Sequence, residues 1–116
     1  MTVTLPANPY GVDCPSRQLL ELIGGKWSLL ILPLLLSGPK RNSELLREIE
    51  GISQKMLTQT LKSLEAAKLI TRRDYAEVPP RVDYRLTEFG ESLVGIVAQL
   101  DQWVIDHYDQ IAQAKD

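Results

Sequence analysis

The chain is poor in the residues that most catalytic and metal-binding chemistry needs. Its 116 residues include one cysteine, Cys14, one histidine, His107, and one phenylalanine, Phe89. A single cysteine excludes an internal disulfide framework and fits a reducing compartment. One Cys with one His cannot assemble a zinc cluster, and the same scarcity leaves no partners for a Ser-His-Asp or Cys-His catalytic set. No metal, no cofactor and no enzymatic activity are therefore expected. Long apolar runs are also missing. The longest, Leu29 to Leu36, is interrupted by Pro33 and is far too short to span a bilayer. The opening MTVTLPANPYGVDC has neither a basic flank nor an apolar stretch, so no signal peptide is expected. The expected location is the cytoplasm, with no membrane partner.

Of the residues present, 44% are apolar and 24% charged, the composition of one folded domain with its own core. The formal net charge of −2 hides an asymmetry. Residues 38–85 carry ten Lys/Arg against seven Asp/Glu, whereas residues 86–116 carry only Lys115 against six acids. A basic middle and an acidic end suggest one segment that meets a polyanion and another with a different task. Chance segregation on a solvated surface would give the same imbalance.

Residues 1–12, with Pro6, Asn8, Pro9 and Gly11, show no periodicity and read as a flexible arm. Pro15 suits a first helical position, and Leu19, Leu20, Leu22 and Ile23 give a short helix ending at Gly24-Gly25. A second helix is predicted from Trp27 to about Leu36, kinked or broken at Pro33. Ser43 is the expected cap of a third helix with Leu45, Leu46 and Ile49 buried, and Ser53 the cap of a fourth. In the fourth, Leu57, Leu61 and Leu64 share one side, with Lys55, Thr58, Gln59 and Lys62 opposite. Two helices joined by a turn at Gly51-Ile52 form a helix-turn-helix unit.

The run Leu69 to Tyr75 and the alternating Val82-Asp83-Tyr84-Arg85-Leu86 read as a hairpin, with Val82, Tyr84 and Leu86 inward and Asp83 and Arg85 outward. Its tip holds Pro79-Pro80, flanked by Arg73 and Arg81. Thr87 then caps a long helix, about 87–111, followed by a frayed tail at 112–116. Its apolar side comprises Phe89, Leu93, Ile96, Val97, Leu100, Trp103, Val104, Tyr108 and Ile111. At about 1.5 Å per residue it is roughly 40 Å long, more than so small a domain can cover. The expected architecture is mainly α with a small β-hairpin wing, one winged helix-turn-helix domain over 13–111.

More specific wording supports that architecture. Cys14-Pro15, Ile23-Gly24-Gly25-Lys26-Trp27, Gly38-Pro39-Lys40-Arg41, Ser43-Glu44-Leu45 and Gly51-Ile52-Ser53-Gln54-Lys55-Met56-Leu57-Thr58 resemble the HxlR-type bacterial transcription regulators. So do Leu64-Glu65, Leu69-Ile70, Val78-Pro79-Pro80-Arg81-Val82-Asp83-Tyr84, Leu86-Thr87 and Gly90, in order over about residues 13–100. Pro33 and Leu34 stand where that family usually carries charge, Asn42 where an aromatic is common, and Lys68 where glycine is common. The resemblance implies a homodimer, paired through the long C-terminal helix and the N-terminal region, that binds a pseudo-palindromic operator in double-stranded DNA. Phe89, Leu93, Ile96, Leu100, Trp103, Val104 and Tyr108 are its expected dimer interface. Repression is the expected mode of regulation.

The groove-facing candidates are Lys55, Thr58, Gln59 and Lys62, with Ser53 and Gln54 at the helix start. Gln pairs bidentately with adenine, and Lys donates to guanine or to phosphate. Arg73 and Arg81 are expected at phosphates or the minor groove, and Lys40 and Arg41 at phosphates. For all ten, a solvated surface is the plain alternative. Cys14 begins a helix with Arg17 one turn away, a setting that favours the thiolate and its reaction with an oxidant, a small thiol or an electrophile. Its alternative is an inert small hydrophobe. The resemblance implies that some relatives sense quinones, aldehydes or oxidants through the cysteine equivalent to Cys14. For Trp27, Trp103, Tyr84 and Tyr108 the alternatives are an aromatic-effector pocket and core or dimer packing, of which packing is the favoured reading. Two other readings stand beside the regulator: a winged-helix protein-interaction module without specific DNA binding, and an enzyme acting on a small thiol or quinone through Cys14.

Overall fold

The computed structural model describes residues 10, 11 and 14–114. Residues 1–9 and 12 of the expected arm and residues 115–116 of the expected tail lie outside the described residues. Pro15–Ile23 form α1, with Cys14 at the N-cap and Pro15 in the first turn, where its missing N–H costs nothing. Lys26–Leu34 form α2, which runs through Pro33 before tightening into a 3-10 turn at Leu35–Ser37, so the expected disturbance falls just after the proline.

Asn42–Glu48 form α3. Its N-cap is Arg41 and not the expected Ser43, which lies one residue inside the helix. Arginine has no acceptor with which to cap an N–H. The end is secured from the other side, by the Glu44 carboxylate accepting from the Arg41 N–H at 3.0 Å, the returning half of a capping box. Gln54–Ala66 form α4, capped as expected by Ser53, whose Oγ accepts from the Met56 N–H at 3.0 Å. Beyond its C-cap Ala67, Lys68 adopts φ 64°, the Leu69 N–H reaches the Leu64 carbonyl, and the Lys68 N–H reaches that of Glu65. These are the two bonds of a Schellman end, with Leu64 and Leu69 both buried across it.

Ile70–Asp74 (β1) and Val82–Leu86 (β2) pair antiparallel, from Ile70 opposite Leu86 to Asp74 opposite Val82. A bridge between Lys40 and Tyr84 adds an extended rung on the far side of β2. Thr87 caps α5, Glu88–Asp106, accepting from the Gly90 N–H at 2.9 Å. The single proton of that hydroxyl is shared between the Lys68 and Leu69 carbonyls, at 2.7 and 3.1 Å, fastening the helix start to the loop after α4. Gly90 permits that approach, because a Cβ there would collide with the Leu69 carbonyl oxygen.

The single long terminal helix of the sequence reading is two helices. His107, with φ −110° and ψ 19°, breaks α5 from α6, Tyr108–Ala114. Residues 112–114, expected as frayed tail, form the end of α6. The core lies where Ile31 and Leu32 of α2, Leu45 of α3, Leu57, Leu61 and Leu64 of α4, Ile70 of β1 and Val94 of α5 meet. From residue 98 to residue 113 every side chain is exposed except half-buried His107. The radius of gyration is 16.6 Å, against about 13 Å for a compact domain of roughly this size, as a terminal arm standing off the core requires.

Among the described residues no single helix is long and apolar enough to cross a membrane. Only α1 and α2 taken together approach a span. They meet at 73°, and Ser28, Ile31 and Leu32 of α2 are buried inside the domain.

Candidate nucleic-acid interface

The apolar stripe of α4 orients its polar stripe. With Leu57, Leu61 and Leu64 committed to the core, Gln54, Lys55, Thr58, Gln59 and Lys62 face outward together and line one shallow, open depression. Gln54 Nε2 donates to Thr58 Oγ1 at 3.0 Å, which leaves the Gln54 carbonyl oxygen and the Thr58 hydroxyl proton for an external partner. Ser53 is exposed; its oxygen is engaged in the cap, and its proton remains available to donate. Such a strip, one helix wide with amide, hydroxyl and ammonium groups projecting from its first three turns, matches what a DNA major groove accepts.

The wing supplies a second cationic patch. Arg73 and Arg81 both place their guanidinium groups over the ring of Tyr75, 4.5 and 4.3 Å from its centre. Arg41 is exposed at the start of α3. Lys40 departs from expectation. Its ammonium pairs with the Glu48 carboxylate at 3.0 Å with only 16% of the side chain exposed, and its backbone exchanges two hydrogen bonds with Tyr84. Lys40 holds the wing against α3, and its charge is already neutralised there.

Asp83 is the larger surprise. Alternation placed it toward solvent, yet it is buried, while Tyr84 and Leu86 lean on the core from the other face. Tyr75 covers it: the phenol donates to Asp83 Oδ2 at 2.7 Å, and Arg85 stands 3.7 Å from Oδ1. The outer face of β2 is therefore covered at Asp83. Sequence reasoning passed over Tyr75 and Arg85. The hairpin register would have found them, because Arg73 lies opposite Asp83, and Tyr75, two residues on, bonds through its N–H to Arg81.

A different surface runs along the terminal helices. Phe89, Ile96, Leu100, Trp103, Val104 and Tyr108 of the expected interface are exposed, joined by Ile105 and Ile111. Leu93 is half-buried and packs on the domain's own core, as the fully buried Val94 and Val97 do more completely. A row of apolar side chains this long is more than an isolated surface leaves unpartnered. Trp103 stacks on His107 with ring centres 4.4 Å apart. Trp27 and Tyr84 instead pack against the core, so the four aromatic candidates divide between two environments.

Cys14 is half-buried at the start of α1. Its carbonyl accepts from the Arg17 and Gln18 N–H groups. Arg17, expected to support a thiolate, pairs with Glu21 at 3.4 Å and donates to the Tyr10 carbonyl, so part of its charge is spent locally.

Comparison with known proteins sharpens what this geometry serves. The HxlR-like helix-turn-helix family matches residues 22–112. The HTH-type transcriptional regulator YkvN of Bacillus subtilis is 57% identical over 91 residues, 78% of this chain and 77% of that protein. Among solved structures, the transcriptional regulator ytfH of Salmonella typhimurium superposes with a TM-score of 0.86 at 38% identity, covering 96% of this chain and 100% of that one. The redox regulator HypR in its reduced form gives a TM-score of 0.79 at 39% identity, over 85% of this chain and 98% of its own.

Proposed function

The chain belongs to the HxlR-like helix-turn-helix family and is a winged-helix transcriptional regulator rather than an enzyme, and from that premise we propose that it acts in the cytoplasm as a homodimeric repressor of a pseudo-palindromic operator. The observation that carries the DNA reading is the outward strip of Gln54, Lys55, Thr58, Gln59 and Lys62 on a helix whose other side is locked into the core. Gln59 and Lys55 read base edges, while Arg73, Arg81 and Arg41 hold phosphates. The apolar row from Phe89 to Tyr108 supports pairing with a second copy. Two-fold pairing would set the two copies of α4 about 34 Å apart, one turn of the duplex.

The signal enters through Cys14. Its place at a helix start and the likeness to a redox regulator support a thiol that changes state with the cell's oxidants. Oxidation of two such thiols to an intersubunit disulfide, or capping by a small thiol or electrophile, would alter how α1 sits beside the end of α4. The test titrates the full chain against DNA from upstream of its own gene, first reduced and then after diamide. Tight reduced binding, lost on treatment and retained by Cys14→Ser, is the expected result. Binding indifferent to diamide would sink the thiol switch and leave the regulator. Gln59→Ala is expected to lose affinity for that DNA by about 1–3 kcal/mol and to keep its affinity for unrelated duplexes.

A further inference from the structure

The outer face of the wing gathers three arginines and one carboxylate around a single ring. Arg73 and Tyr75 come from β1 and its extension, and Arg81, Asp83 and Arg85 from the returning strand. The Arg73 and Arg81 guanidinium groups lie over the Tyr75 ring. The ring is itself tethered: its hydroxyl donates to Asp83 Oδ2 at 2.7 Å and accepts from Arg85 at 3.3 Å. Asp83 is 3% exposed, a costly position for a carboxylate unless neighbouring charges and donors compensate it. Here it offsets one of three positive charges crowded into a small space and fixes the orientation of the phenol. Asp74 and Glu77 are the other acids of the hairpin. Asp74 is engaged in the turn, accepting from the Ala76 N–H at 2.8 Å, and Glu77 is exposed at the tip.

A flexible arginine that meets a phosphate must give up its rotamer freedom on binding, and that loss subtracts from affinity. An arginine already held over an aromatic face has surrendered part of that freedom during folding, while its guanidinium keeps donors for an anion. We infer that Tyr75 is the positioning residue of the wing: anchored by buried Asp83, it pre-orders Arg73 and Arg81 as a pair directed at neighbouring phosphates of one DNA strand. The inference rests on the reading of the wing as a phosphate-contacting element. Tyr75 itself needs no contact with DNA.

The test measures binding of the full chain to a labelled mixed-sequence duplex over a series of salt concentrations, so that no operator need be known. Tyr75→Leu, which fills space without a π face, is expected to weaken binding about tenfold and to lower the slope of log affinity against log salt by about one. Tyr75→Trp, which keeps a π face without the hydroxyl tether, is expected to restore the slope and most of the affinity. In the Arg73→Ala/Arg81→Ala background, Tyr75→Leu should change nothing further. An unchanged slope in Tyr75→Leu, or an equal loss in the arginine-free background, would overturn the inference. If Tyr75→Leu fails to fold, Tyr75→Phe decides: a slope kept with about twofold weaker binding supports the tether, and wild-type affinity removes it. Absence of any salt-dependent binding by the wild-type chain would overturn the DNA reading itself, a different failure from indifference to Tyr75.

Discussion

Helices α4 and α5 begin alike and end in different worlds. Each opens on a hydroxyl cap, Ser53 or Thr87, and each is amphipathic. In α4 every strongly apolar position except the 38%-exposed Met56 is buried in the same chain, so the surface left over is polar. In α5 only Gly90, Val94 and Val97 are buried, and the surface left over is Phe89, Ile96, Leu100, Trp103, Val104 and Ile105. The first helix is finished by its own domain and offers hydrogen-bonding groups. The second is half finished, and the hydrophobic effect, at about 25 cal/mol per Å² of apolar surface, favours covering what remains, as the proposed pairing would. Amphipathicity alone therefore does not say what a helix does; which stripe stays outside does.

The largest effect expected on that contrast comes from the point where α5 is fastened. Gly90→Ala drives a methyl group into the Leu69 carbonyl oxygen, backbone that cannot step aside. A loss of about 3 kcal/mol or more is expected, read as a fall of at least roughly 10 °C in thermal melting. Next comes the unfinished stripe. Leu100→Glu is expected to weaken dimerisation about 100-fold in sedimentation equilibrium, a cost of about 2.7 kcal/mol, with little change in helix content. The same substitution at Leu61, at the matching stage of α4, should unfold the domain. Comparable behaviour of the two variants would erase the distinction between the helices.

The caps offer a finer comparison. Ser53→Ala removes one cap bond at a cost of about 1 kcal/mol. Thr87→Ala should cost closer to 2 kcal/mol, because the same hydroxyl also ties α5 to the Lys68 and Leu69 carbonyls. Equal losses in urea denaturation would mean that the tie contributes nothing. The smallest effect is a gain. Lys68 holds a left-handed conformation that suits glycine. Lys68→Gly is expected to stabilise by about 0.5 kcal/mol, since part of the relieved strain is offset by the greater freedom of glycine in the unfolded chain.

Much of this was legible along the chain. The 3.6-residue spacing of Leu57, Leu61 and Leu64 located the polar face of α4, and the strand period with the diproline located the wing. What escaped has a common cause: each missed feature is decided by a side-chain contact that helix and strand periods do not report. Asp83 is buried by a tyrosine eight residues earlier. Lys40 pairs its charge with Glu48, eight residues later. Ser43 yields its expected place to Arg41 because Glu44 reaches back. The break at His107 follows no proline or glycine, and its ring nitrogen instead lies 2.8 Å from the Trp103 carbonyl.

Periodicity is a local property, set by side-chain geometry on a helix or strand, so the sequence by itself determined most of the elements, the caps of α4 and α5, the buried stripes and the polar face of α4. Coverage is not local. Which charged groups were neutralised, which arginines came to rest on Tyr75, and how much of α5 was left without a partner were settled only when the chain packed. Burial and pairing depend on what arrives from elsewhere, and no spacing along the chain encodes that arrival.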